Sequence, residues 1–129
     1  MASPHGTHGA FSWNELTTSD TTAARTFYGK LLDWKFKDMD MGEATYTVIS
    51  TAGGDVGGIT GIPPVAKGMS PTWGGYITVD NVDAVVAKVP GLGGRVLLAP
   101  TDIPTVGRFA TIQDPQGATI SLITYARKN

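Results

Sequence analysis

Cysteine is absent from the chain and histidine occurs only at His5 and His8. The first absence excludes a disulfide scaffold, a thiolate metal site and a cysteine nucleophile. Scarce histidine leaves Ser12, Ser19 and Ser121 without a base outside the N-terminal stub, which excludes a Ser-His hydrolase. An excess of one charge is also lacking: 10 Lys+Arg against 11 Asp+Glu give a net −1 and a pI of 6.0. That balance offers no electrostatic footprint for nucleic acid or an anionic membrane. No apolar run approaches the roughly 20 residues of a membrane span, and the N-terminal residues lack the basic and apolar regions of a signal peptide. The expectation is a soluble, cytoplasmic protein with no nucleic-acid or membrane partner.

What the chain does contain is apolar material for a core, 41% hydrophobic residues in 129, the size of one domain. Gly (17) and Pro (8) are frequent without period, as many turns between short strands require. After a stub expected to be flexible over residues 1–9, Ala10 to Thr18 reads as a strand and Asp20 as a helix N-cap. Ala24, Phe27, Tyr28 and Leu31 then form an i, i+3, i+4, i+7 stripe, with Arg25 and Lys30 left to solvent. Strands follow around Trp34–Phe36, over Tyr46–Ser50 and over Val56–Ile62. Pro63 to Pro71 reads as a linker. The pattern then restarts: a strand over Thr72–Val79, a cap at Asp80 or Asn81, and a Val82, Val85, Val86, Val89 stripe. Strands over Arg95–Leu98, Gly107–Gln113 and Ala118–Thr124 close it, the last two joined by the Asp114-Pro115-Gln116-Gly117 turn. Trp13 precedes Asp20 by seven residues, as Trp73 precedes Asp80, so the Trp anchors lie 60 positions apart. The fold class expected is α+β, with two βαβββ modules over residues 10–62 and 72–125, a linker at 63–71 and a tail at 126–129. Their mixed sheet is expected to curve around a cavity, since one βαβββ unit leaves an uncovered face that favours pairing.

These residues resemble a known family. Trp13-x-Glu15-Leu16-x-Thr-x-Asp20, Phe27-Tyr28 ahead of Trp34, Gly107-Arg108-Phe109-Ala110 and Asp114-Pro115-Gln116-Gly117-Ala118 are similar to the vicinal oxygen chelate superfamily. That superfamily holds glyoxalase I, extradiol dioxygenases, and the fosfomycin and bleomycin resistance proteins. The likeness runs from about Ala10 to about Tyr125, nearest to the branch related to lactoylglutathione lyase.

The resemblance implies a test for metal. Members that bind a divalent ion use His and Glu from the first and last strands of each half. Here those positions fall on Trp13, on Gly57, Gly58 or Thr60, on Trp73 and on Ser121. An indole carries only a donor N–H and cannot coordinate. The expectation is no metal and no cofactor, with His5 and His8 belonging to the stub.

Glu15 is the strongest chemical candidate, because it shares a strand face with Trp13. In an aromatic pocket it would act as general acid or base, or bind a cation; the alternative places it at a strand edge or dimer seam paired with Arg or Lys. Trp13 and Trp73 would be opposing walls for a flat ligand, or simply fill the space of the missing metal site. Tyr46 is a further lining candidate, while alternation assigns Tyr76 to the helix-packed side. Arg108 would clamp a carboxylate or phosphate of a ligand, or else hold a neighbouring Asp. Gly53-Gly54-Asp55-Val56-Gly57-Gly58 lacks the Lys-Ser/Thr ending of a phosphate cradle and reads as a hairpin.

The expected function is metal-independent binding of an aromatic or drug-like metabolite by a homodimer, with Trp13, Glu15, Tyr46, Trp73, Arg108 and Ser121 as ligand-binding residues. A metal-independent isomerase, cyclase or lyase using Glu15 is the first alternative, a metal-dependent lyase or dioxygenase the second, and a partner-binding subunit the third.

Overall fold

The computed structural model describes residues 3–40 and 45–126. The first two residues of the expected stub and residues 127–129 of the expected tail lie outside the described residues. The chain forms two compact units: residues 13–74, and the N-terminal residues through Ser12 together with Gly75 onwards. Among the described residues no helix is long and apolar enough to cross a membrane.

The unit of residues 13–74 holds β1 (Phe11–Thr18) from Trp13 on, α1 (Thr21–Leu32), β2 (Lys35–Asp40), β3 (Thr45–Thr51) and β4 (Gly54–Gly61). The strand order is β2-β3-β4-β1, with β1 parallel to β4 and the other neighbours antiparallel. This is one βαβββ module. Asp20 starts α1 as its spacing predicts, its carboxylate accepting the Ala23 N–H at 2.9 Å. Leu16, Ile49 and Ile59 form the core beneath it, packed by Ala24 and Tyr28 of the helix and by Trp34 and Phe36.

The predicted stripe is therefore only half used. Phe27 and Leu31 stand 59% and 61% exposed, because Trp34 and Phe36 fill the space that those residues would have taken. Arg25 is not left to solvent: it pairs with Asp38 at 2.9 Å, and its guanidinium lies 5.4 Å from the Phe36 ring centre.

The other unit holds β5 (Thr72–Thr78) from Gly75 on, α2 (Val82–Val86), β6 (Arg95–Ile103), β7 (Gly107–Gln113) and β8 (Thr119–Tyr125). Its order is β5-β8-β7-β6, with β5 parallel to β8 and the rest antiparallel. The βαβββ order recurs, and the α+β class stands. Val79, Val82, Val86, Ala110 and Leu122 make the core, with Ile77, Val85 and Ile112 against it. The cap of α2 is Asn81, whose side-chain oxygen accepts the Ala84 N–H at 3.1 Å.

Residues 3–9 make hydrogen bonds to the start of the second module. Pro4 C=O accepts the Thr78 hydroxyl at 2.8 Å, the Asp80 N–H donates to His8 Nδ1 at 3.0 Å, and the Gly9 N–H donates to Thr78 C=O at 2.7 Å.

Candidate functional site

Strand alternation sorts the residues of the first unit onto two faces. Leu16, Ile49 and Ile59 point toward α1. Trp13, Glu15, Tyr46, Val48 and Gly58 occupy the other face, since Glu15 pairs with Gly58 and Gly58 with Val48 across the ladder. Tyr46 lies two residues before Val48, diagonal to Gly58, within reach of an aromatic side chain. Its phenol crosses Gly58: a methyl group built there would overlap the Tyr46 hydroxyl and ring. The crossing brings three predicted site residues together. The Trp13 indole N–H donates to Tyr46 Oη at 2.9 Å, and Tyr46 Oη donates to Glu15 Oε2 at 2.8 Å. All three are half-buried.

Trp73 joins a different group. Its indole N–H donates to Tyr28 Oη at 3.2 Å, and its ring meets Tyr28 and Trp34 edge-on at 5.5 and 6.0 Å. Tyr28 and Trp34 pack on the α1 side, so Trp73, 40% exposed, is not a wall facing Trp13. The cause is one residue of register. The second helix is capped by Asn81 and not Asp80, so the positions matching Trp13 and Glu15 are Gly74 and Tyr76. A shift of one residue moves every side chain of a strand to the other face.

Tyr76 is accordingly not on the helix-packed side. It pairs with Ser121, away from Ile77 and Leu122, and its ring centre is 6.1 Å from that of Phe109. The Ser121 hydroxyl is 2.9 Å from that of Thr111.

Arg108 is held within its own unit. Nε and Nη2 donate to the two Asp83 carboxylate oxygens at 2.9 and 3.1 Å, and Nη1 donates to Asp102 at 3.0 Å. A guanidinium forked this way holds two neighbouring aspartates of its own unit. The same contacts hold the Asp83 carboxyl below its ordinary range. Near the N-terminal segment, Tyr125 shares a 2.7 Å hydrogen bond with Ser12, and burial raises its phenol above the usual value, partly offset by that bond.

A family model described as Glyoxalase/Bleomycin resistance protein/Dioxygenase superfamily matches residues 10–122. The chain belongs to this superfamily. Over 117 residues it is 41% identical to "Putative glyoxylase CFP32" of Mycobacterium tuberculosis, covering 88% of this chain and 45% of that one. Over 127 residues it is 30% identical to the anthracycline biosynthesis protein DnrV of Streptomyces peucetius, covering 88% and 46%. The chain thus spans less than half the length of these curated relatives. Among solved structures, the Mycobacterium tuberculosis methylmalonyl-CoA epimerase superposes with a TM-score of 0.66 at 18% identity, covering 92% of this chain and 89% of that one. At such identity the likeness concerns the fold.

The positions at which the resemblance implies metal ligands fall on Trp13, on Gly57, Gly58 or Thr60 and on Ser121, and the register of the second module moves the remaining one from Trp73 to Gly74. Neither the indole nor the glycines offer a ligand, and the Ser121 hydroxyl is shared with Thr111. Among the described residues, no three His, Asp or Glu side chains gather as metal ligands would. These positions offer neither an imidazole nor a carboxylate. The place beside Glu15 that a side chain at 58 would occupy belongs to the Tyr46 phenol. Sequence reasoning named Tyr46 but not its dependence on Gly58; the signal was an aromatic two residues before the cross-strand partner of a glycine.

Proposed function

We propose that the face carrying Trp13, Glu15 and Tyr46 binds a small, partly aromatic molecule without a metal and without turning it over. One observation carries this reading: a phenol laid across Gly58 joins an indole to a carboxylate on the sheet face opposite α1. Two aromatic rings offer contact area at low entropy cost, and one carboxylate offers orientation. The relation to DnrV supports the choice of ligand class, since anthracyclines are fused-ring aromatics. The reading includes a homodimer, supported by the length of CFP32, which leaves room for a second domain of this size.

Titration with hydroxylated fused-ring aromatic quinones, followed by tryptophan fluorescence, tests the proposal. Saturable quenching is expected, reduced at least tenfold in affinity by Trp13→Ala, kept by Trp73→Phe, with the ligand recovered unchanged. Absence of saturable quenching across the panel overturns it, and a sedimentation mass of one chain removes the dimer.

The direct Tyr46-to-Glu15 hydrogen bond favours a second reading, an enzyme in which Glu15 transfers a proton. Chemical change in the recovered ligand, lost in Glu15→Gln with affinity largely kept, would select it.

A further inference from the structure

We infer that Tyr46 is a positioning residue for Glu15, with Trp13 fixing the direction of the phenol proton and Gly58 making room for the ring. The inference rests on the reading of this face as a ligand site and specifies how its carboxylate is set.

The direction follows from the donors. An indole nitrogen can only donate, so Tyr46 Oη, 2.9 Å away, must accept from Trp13. A phenol has one hydrogen, and Glu15 Oε2 at 2.8 Å accepts it. The chain of donation therefore runs from Trp13 through Tyr46 and ends on Glu15. Oε2 is an acceptor in this arrangement. A bond from an indole also polarises the phenol and strengthens its donation to the next partner. Toward a ligand, Glu15 is then held in one orientation as a hydrogen-bond acceptor or base, and the ligand class is one that presents a proton donor or a positive charge beside an aromatic ring.

Gly58 is part of the device. Its three nearest neighbours, for a methyl group built at that position, are all atoms of the Tyr46 phenol. Any side chain there would push the ring away and break both hydrogen bonds together.

Carboxyl-carbon NMR titration of Glu15 in the ligand-free full chain tests the inference without knowing the ligand. Tyr46→Phe removes the donor to the charged form and keeps the ring, so the Glu15 midpoint should rise by roughly half to one pH unit. Gly58→Ala keeps the phenol but displaces it, and should raise the midpoint in the same direction. Trp13→Phe removes the indole donor to the phenol and should raise it less. An unchanged midpoint in folded Tyr46→Phe and Gly58→Ala proteins overturns the inference, even if both lose thermal stability. The quinone titration separates the two proposals: a moved midpoint with no quinone binding refutes the ligand reading and leaves the positioning intact, whereas binding with an unmoved midpoint does the reverse.

Discussion

Gly58→Ala should destabilise the protein only while Tyr46 is present. Gly58 is not among the glycines with positive φ, so Ala fits its backbone without strain. The added methyl group overlaps the far end of a side chain, and the ring can swing aside. Relief breaks the hydrogen bonds at 2.9 and 2.8 Å to Trp13 and Glu15. Each is worth about 0.5–1.5 kcal/mol net, toward the lower end where half-burial lets water return, so the pair contributes about 1–2 kcal/mol. Against that, Gly→Ala stabilises by about 0.4–1 kcal/mol through a less flexible unfolded chain. The single substitution should therefore cost about 0.5–1.5 kcal/mol. In a Tyr46→Ala background there is no ring to displace, and Gly58→Ala should stabilise by about 0.4–1 kcal/mol. Urea midpoints for wild type, both single variants and the double variant give the coupling, expected at about 1–2 kcal/mol. An equal cost in both backgrounds refutes the placement of Tyr46 over Gly58. Gly57→Ala supplies the contrast: its methyl group would meet the backbone carbonyl of Asn14, which no rotamer relieves, so its cost of about 1–3 kcal/mol or more should not depend on Tyr46.

Asn81→Ala should cost about 1 kcal/mol, roughly 4 °C in Tm for a chain of this length, while Asp80→Ala stays within about 0.5 kcal/mol. The reverse order would show that Asp80 is the cap and would return Trp73 to the face of Trp13. Tyr125 should titrate above the ordinary phenol value of about 10, because burial favours its neutral form. A raised folded-state pKa contributes stability that is fully present below pH 10 and is lost as pH rises through the folded value. Wild type should therefore lose stability in that alkaline window relative to its neutral value more steeply than Tyr125→Phe, as followed by thermal melts at stepped pH. A phenolate absorbance that appears at or below pH 10 for Tyr125 refutes it.

Much of the architecture was legible because period and punctuation agree locally. Asp20 at the head of the Ala24–Tyr28 line marks a helix limit that the chain respects, whereas α2 ends at Val86, before Val89 of the stripe, and Pro90 opens a short 3-10 turn where it was expected to stop the helix. The Asp114-Pro115-Gln116-Gly117 turn forms as its residues require, with Gly117 at φ 102° and Asp114 Oδ1 accepting the N–H groups of Gln116 and Ala118. Two features were not legible. Which edge of the α1 stripe becomes core depends on Trp34 and Phe36 arriving from the next segment, information that no helical period contains. Whether Asp80 or Asn81 caps α2 is a choice between adjacent residues of almost equal capping strength. Tertiary contacts decide it: the Val82 N–H donates to Thr124 Oγ1 and the Asp80 N–H to His8.

That single-residue choice exposes a closer internal repeat than the Trp-to-Trp spacing does. In the first unit Glu15 pairs with Gly58, Gly58 with Val48, and Tyr46 lies two residues before Val48. In the second, Tyr76 pairs with Ser121, Ser121 with Thr111, and Phe109 lies two residues before Thr111. Position by position, Trp13, Glu15, Tyr46 and Gly58 match Gly74, Tyr76, Phe109 and Ser121. The geometry is conserved between the halves: an aromatic side chain on the third module strand reaches the first-strand residue, Tyr46 to Glu15 and Phe109 to Tyr76. The chemistry is not. Phe109 has no hydroxyl to donate and Gly74 has no indole to direct it, so the Tyr76 pair is a contact between rings, where the Glu15 pair is a directed hydrogen bond. A scaffold that repeats its backbone has placed its carboxylate in one half only.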